Sequence, residues 1–215
     1  MATISKEKNG RATAIAPVSN GAQEIIGYEQ PYSALVTIEG TAPILFHGYN
    51  VESVKEKAGA AKGSKAKKSD DVESYVYRTD DGRLGIPGLM FCAAVAHAGR
   101  RVQDPSSPRK SMLDLCKAAI IPLDDVAPLQ PDTEAWDYLD VRRVVVQRNA
   151  VPRERPAMRT GWRITFNLLV NAPEYINPMM LRGLITKAGK FSGLGDFRPT
   201  FGRFDIVNFE TSEIA

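Results

Sequence analysis

Apolar and polar residues alternate most cleanly between Trp162 and Val170. Trp162, Ile164, Phe166, Leu168 and Val170 are separated by Arg163, Thr165, Asn167 and Leu169. A period of two places the first set on one buried face of a strand. Ser33 to Gly40 is short, β-branched and apolar, bounded by Pro31 and Gly40, and predicts another strand. Ile44 to Phe46 continues or pairs with it. Ser74 to Arg78, Ala118 to Leu123, Val141 to Arg148 and Phe204 to Glu210 predict further strands, and Asp80-Asp81-Gly82 is a hairpin turn signal. Leu89 to Arg101 predicts a helix that Pro87 helps to start. Leu89, Cys92, Val95 and Ala96 form its expected apolar stripe, and Arg100 and Arg101 suit its C-terminal dipole. Asn177 caps a second helix begun by Pro178. Leu181, Leu184, Ile185 and Ala188 form its buried face, and Gly189 ends it. Ser106 to Leu115 predicts a loop with a short helix. Asp124 to Asp132 predicts a loop, and Asn149 to Arg159, with Pro152 and Pro156, an exposed one. Residues 1–30 are polar and without periodicity, as in a disordered or extended arm; residues 31–215 then form a single domain.

The order strand, helix, strand, strand, helix, strand predicts an α+β fold. It is the ferredoxin-like, RRM-like βαββαβ sandwich, with loops inserted. Its helices cover one face of a four-stranded antiparallel sheet, leaving the other face or its rim for a ligand. Many functions share this fold, so function has to be read from the loops. The 215 residues suffice for one core without disulfides or metals. The two cysteines, Cys92 and Cys116, read as reduced core thiols of a cytoplasmic protein. His47 and His97 stand fifty residues apart, and nothing has metal-ligand spacing, so no metal or cofactor is expected. No apolar run is long enough to cross a bilayer, which predicts no membrane partner. The polar stretch Met1 to Asn20 lacks the apolar core of a secretory signal.

Charge changes the picture. Between Ser53 and Lys68, six lysines face only Glu56, giving +5. Between Val141 and Arg163, seven arginines face only Glu154, giving +6. With a net charge of +3, the rest of the chain stands at −8. Such segregation is the footprint of a face that binds a polyanion. The lysine stretch, with Gly59, Gly63 and Ser64, suits a loop (51–70); the arginine stretch suits a hairpin (141–163).

The segment from Phe191 to Phe204 adds Gly193, Gly195 and Gly202, interleaved with Phe197, Phe201, Arg198 and Arg203. Glycine lets backbone approach a phosphate or sugar. Aromatic rings stack on bases, and arginines fork onto phosphates. The alternative is a helix end and tight strand entry with the phenylalanines in the core. A Walker-type loop is excluded, because the segment follows a helix and lacks a Gly-Lys-Ser/Thr ending.

Two passages resemble the RAMP superfamily, the repeat-associated RNA-binding proteins of CRISPR effector complexes. One is Asp81-Gly82-Arg83-Leu84-Gly85-Ile86-Pro87-Gly88 leading into a helix that ends Arg100-Arg101. The other runs from Gly193-Leu194-Gly195 to Gly202-Arg203-Phe204. The likeness is to the backbone subunits that polymerise along guide RNA; small phage and prophage proteins share the ending. It covers about Ser33 to Glu210, with Leu89-Met90-Phe91 where the family has small polar residues. The resemblance implies binding of a single-stranded, crRNA-like guide and contact with the target strand. It also implies filament assembly with copies of the chain and other effector subunits, in antiviral defence, with the 141–163 hairpin acting as a thumb. The expected RNA-binding residues are Lys55, Lys57, Lys62, Lys65, Lys67, Lys68, Arg142, Arg148, Arg153, Arg155, Arg159, Lys190, Gly193, Gly195, Arg198 and Arg203.

No nucleophile–base arrangement stands out, so the expectation is a non-catalytic binding subunit. By resemblance, Asp71, next to Asp70, is the candidate for metal-assisted RNA cleavage, and His47 for guide processing. Catalysis by a lone histidine would need a partner within hydrogen-bond reach. His97 reads as structural. The alternatives are a phage-encoded single-stranded DNA-binding protein of the same fold, an endoribonuclease using Asp71, and a structural protein that inhibits or mimics such complexes.

Overall fold

The computed structural model describes residues 29–49, 72–146 and 149–214, together with Lys55 and Gly59. In chain order the strands are β1 (Tyr32–Gly40), β2 (Ile44–Leu45), β3 (Tyr77–Arg78), β4 (Leu84–Pro87), β5 (Gln103–Asp104), β6 (Ser107–Ser111), β7 (Ile120–Pro122), β8 (Val126–Gln130), β9 (Tyr138–Val146), β10 (Asn149–Met158), β11 (Arg163–Val170) and β12 (Phe204–Glu213). The helices are α1 (Gly88–Gly99), α2 (Leu113–Ala119) and α3 (Pro178–Phe191), with a 3-10 turn at Glu73–Tyr75. Of the expected arm (1–30), residues 1–28 lie outside the described residues, as does the lysine loop apart from Lys55 and Gly59.

The alternation read at Trp162–Val170 is observed. Trp162, Ile164, Phe166, Leu168 and Val170 are all buried, and β11 pairs antiparallel with β1 over its whole length. The main sheet runs β12-β1-β11-β8-β4-β3, with β7 also paired to β11. Counting β1, β7, β11 and β12 as the four strands of a βαββαβ unit, their order is fourth, first, third, second. That is the ferredoxin-like arrangement, and the fold is α+β as expected. The additions are β8, β4 and β3, which extend the main sheet, a three-stranded sheet β2-β10-β9 and the β5-β6 hairpin.

α3 matches its expected cap and face. Asn177 accepts the Met180 N–H at 2.9 Å, and Leu181, Leu184, Ile185 and Ala188 are buried. α1 matches in part. Val95 and Ala96 are buried as expected and Cys92 half-buried, but Leu89 is 70% exposed, and Phe91, Ala94 and Ala98 join the buried face. The reason is the ring of Phe91, which lies stacked on Phe166 at 4.2 Å and 8° and sets the rotation of the helix. Between them these rings join α1 to the centre of the sheet.

Four other expectations are corrected. Asp124–Asp132 is not all loop: β8 buries Ala127 and Leu129 between β4 and β11. Ser106–Leu115 holds β6 and the start of α2. Ser74–Arg78 is a 3-10 turn followed by a two-residue strand. Asn149–Arg159 is almost wholly strand β10, paired with β9 from Asn149↔Val146 to Ala157↔Tyr138. Its two prolines suggested a loop, but they sit where a strand tolerates them. The Phe46 N–H donates to the Pro156 carbonyl at 2.9 Å. Even-numbered positions of β10 therefore turn their backbone groups towards β2 and away from β9. Proline at 152 and 156 removes no bond from the β9 ladder.

Phe166→Ala is expected to cost about 3–5 kcal/mol of stability. Leu89→Ala should stay within about 0.5 kcal/mol of the parent. Urea unfolding of both variants checks the rotation assigned to α1.

Candidate nucleic-acid interface

Beside the main core lies a small one, formed by Leu45, Ala157 and Phe201 with Tyr138 and Phe197 against them. It joins three segments that the sequence keeps far apart. β2 pairs with the end of β10 through Leu45↔Ala157. The glycine-rich loop hangs on β2, since the Asp196 N–H donates to the Leu45 carbonyl and the Gly202 N–H to that of Pro43. The arginine hairpin β9–β10 closes over the loop.

Cross-strand partners share a face of the hairpin, so Arg142, Arg153, Arg155, Asp140 and Tyr138 lie on one side. Arg155 is buried. Its Nε donates to Asp196 Oδ2 at 2.8 Å, one Nη donates to the Glu154 carbonyl, and its guanidinium lies 5.1 Å from the Tyr75 ring centroid. The side chain expected to grip phosphate is thus held inside the fold. Arg142 lies 4.2 Å over the Phe201 ring and forks onto the Asp140 carboxylate. Arg159 is exposed and stands 5.3 Å over Tyr138. Arg143, Arg198, Arg203 and Lys190 are exposed, the last at the end of α3 that leads into the loop. Arg153 is partly buried on the Arg142 face.

The lysine segment is rooted in the same place. The Gly48 N–H donates to the Tyr75 carbonyl at 2.7 Å, tying together the two ends of the chain that flank it. Tyr75 in turn touches Arg155 of the hairpin and packs edge-on against His47 at 4.9 Å. Of the expected lysines, Lys55 is exposed. Lys57, Lys62, Lys65, Lys67, Lys68, Arg148 and Asp71 lie outside the described residues.

The glycines of the loop answer to the fold first. Gly193, Gly195 and Gly202 all have positive φ, between 69° and 74°. A Cβ on Gly193 would stand 2.7 Å from the Phe201 carbonyl oxygen, and one on Gly195 or Gly202 would collide with the carbonyl of Leu45 or Leu194. The space beside these glycines is filled by the protein's own backbone. Phe201 is buried, and Arg142 covers its ring. Asp196, the one acid within the loop, carried the missing signal: a carboxylate in a cationic stretch marks an internal partner for one of the arginines.

The face of the main sheet away from the helices has a different character. The pairings place Leu35, Thr37, Glu39, Thr165, Asn167, Asp205, Asn208 and Glu210 on it. It carries no aromatic ring on β1, β11 or β12, and acids outnumber Arg163. Base stacking of the RRM kind has no platform there. A cleft of about 270 Å³ opens at the base of the hairpin, floored by Leu129, Met158 and Trp162 and rimmed by Asp137, Arg159 and Thr133. Burial pushes the Cys92 and Cys116 thiols up to about 12. Among the described residues, no helix is long and apolar enough to cross a membrane, and no group of three or more His, Cys, Asp or Glu is placed to hold a metal.

No family model and no curated protein matches the chain. Among solved structures it is similar to a chain in the Csm3–Csm4 subcomplex of the type III-A CRISPR-Cas interference complex. Identity is 13%, the match covers 85% of this chain and 78% of that one, and the TM-score is 0.36. An overlap so loose carries no function across.

Burial raises the Asp196 carboxyl, but the Arg155 hydrogen bond, the Phe197 N–H and the charges of Arg155 and His47 outweigh it. The group is held below the ordinary carboxylate range. A lowered folded-state value contributes stability above the unfolded value and loses it as pH falls through the folded one. Acid unfolding should therefore weaken the hairpin attachment below about pH 4, and Asp196→Asn should flatten that part of the profile. Arg155→Ala should cost about 1.5–3 kcal/mol at neutral pH, read by thermal unfolding.

Proposed function

We propose that the protein binds single-stranded RNA by its sugar-phosphate chain, where the arginine hairpin, the glycine-rich loop and the roots of the lysine segment meet. In this reading it is a non-catalytic backbone subunit of a CRISPR-like ribonucleoprotein. Copies line up along a guide RNA with other effector subunits, and the hairpin acts as the thumb. One observation carries the reading: Tyr75, which follows the lysine stretch in the chain, meets Arg155 of the arginine stretch, 80 positions further on. A +6 hairpin whose Arg155 meets the chain just after a +5 segment favours positive potential there, while the acidic face of the main sheet would repel a polyanion.

Within this arrangement the residues divide their work. Arg155 and the glycines build the support. Arg143, Arg159, Arg198, Arg203 and Lys190 supply exposed charge, and the lysine segment adds more from its root. Arg142, stacked on Phe201, presents a fixed guanidinium edge.

Binding of a short RNA should weaken with salt. Each phosphate neutralised contributes about −0.7 to the slope of log affinity against log salt, so six contacts give about −4. Arg159→Ala and Arg198→Ala should each make the slope shallower by about 0.7. A flat salt titration would overturn the reading. RNA and DNA of equal length and sequence separate the guide-binding reading from a DNA-binding one, because only RNA presents the 2′-hydroxyl. RNA should win by about tenfold or more, and purified protein should carry RNA visible in its absorbance ratio.

A further inference from the structure

Several carboxylates near the hairpin are paired with arginine: Asp140 with Arg142, Asp196 with Arg155 and Glu39 with Arg163. Asp137 takes no such partner among the described residues, although Arg159 is tied to it. The Arg159 backbone N–H donates to Asp137 Oδ2 at 2.7 Å, while the Arg159 guanidinium is drawn over the Tyr138 ring. Asp137 is pinned through its own backbone as well, whose N–H donates to the Ala157 carbonyl at 2.9 Å. The carboxylate is therefore held in place and exposed, and Oδ1 takes no hydrogen bond among the described residues.

Asp137 lines the cleft at the base of the hairpin. Leu129 and Trp162 lie almost wholly buried beneath it, and with Met158 they give it an apolar floor. Other polar groups of the lining are already engaged. The Trp162 N–H donates to the Ala42 carbonyl, the Thr133 hydroxyl to the Ala135 carbonyl, and the Gln130 amide to the Thr165 hydroxyl. What a ligand meets is chiefly an acceptor, the Asp137 carboxylate, beside apolar surface. Strand alternation puts Asp137 and Met158 on the side of the hairpin opposite to Tyr138. Arg159, lying over Tyr138, thus stands at the corner between the cleft and the arginine-bearing face. The cleft, of about 270 Å³, falls below the range of about 300–1,000 Å³ for pockets that hold a drug-sized molecule. It suits a single flat ring system.

An ionised carboxylate only accepts hydrogen bonds. Of the four RNA bases, guanine alone offers two adjacent donors on its Watson–Crick edge, N1–H and the N2 amine. Adenine and cytosine set a ring-nitrogen acceptor beside their amine, and uracil flanks its single N3–H with carbonyl oxygens. Each of these brings a lone pair against the carboxylate. A cationic side chain would also suit the acid, but Arg159 and the +6 of the hairpin repel it. A neutral ring carried on a phosphate chain fits both charges. We infer that the cleft seats a guanine base. Its N1–H and N2 amine meet the Asp137 carboxylate, its ring lies against the apolar floor, and Arg159 stays with the phosphate chain. This rests on the RNA-binding reading and adds a base preference, which contacts to the sugar-phosphate chain do not give.

The test uses full-length protein freed of nucleic acid and a short oligouridylate with or without one guanosine, titrated at fixed salt. The guanosine RNA should bind on the order of tenfold more tightly. Inosine in its place lacks the N2 amine and should lose most of that gain; adenosine or cytidine should give none. Asp137→Asn keeps an oxygen for the Arg159 N–H but sets an amide donor against the base, so it should bring the two RNAs to equal affinity. Thermal unfolding shows whether that variant is folded; if it is not, the inosine RNA decides. Free guanosine monophosphate should raise the unfolding temperature of the parent more than adenosine monophosphate does, and Asp137→Asn should remove the difference. No gain from guanosine, an equal gain from adenosine or inosine, or a gain that survives Asp137→Asn would overturn the inference. The binding reading would still stand wherever the plain oligouridylate binds. If no RNA binds, that reading fails, and the free nucleotides decide the cleft: a shift confined to the guanine nucleotide upholds it, and no shift overturns it.

Discussion

The guanidinium of Arg155 joins three parts of the molecule by a single buried side chain. It meets Asp196 in the glycine-rich loop and Tyr75 at the root of the lysine segment, and it stands on the hairpin strand β10. A buried cation without a partner is strongly unfavourable, and a paired one is held to a single geometry. The pair therefore matters less as a source of stability than as a fixed point. It sets where the hairpin sits against the loop, and the other arginines take their positions from it.

Elements with a clean period were legible in the sequence. The alternation of β11, the cap and face of α3 and the Asp-Gly turn between β3 and β4 all follow from local chemistry, and with them the ferredoxin-like order. α1 was legible as a helix but not in its rotation, because an alanine-rich helix has apolar residues on several sides. Only the distant ring of Phe166 shows that Phe91, and not Leu89, points inwards. β8 and β10 were hidden by proline. Their prolines are tolerated through pairings with strands far away in sequence, which no local window contains.

The candidate site was legible as charge and much less so as geometry. The sequence shows where positive residues cluster. It does not show that Arg155 turns inwards and Arg143 outwards, although both stand in one hairpin. That difference depends on register. Asp196, lying within the loop, decides it from about forty residues away. The glycine-rich segment illustrates the same limit: its three glycines look like room for a ligand, yet the backbone of the loop and of β2 fills the room.

The two prolines of β10 have a directional consequence. β2 already takes the Pro156 carbonyl, and beyond its short reach the flank lacks an amide hydrogen at 152, so another strand laid there would miss a rung of its ladder. The imino acid blunts the hairpin on that side.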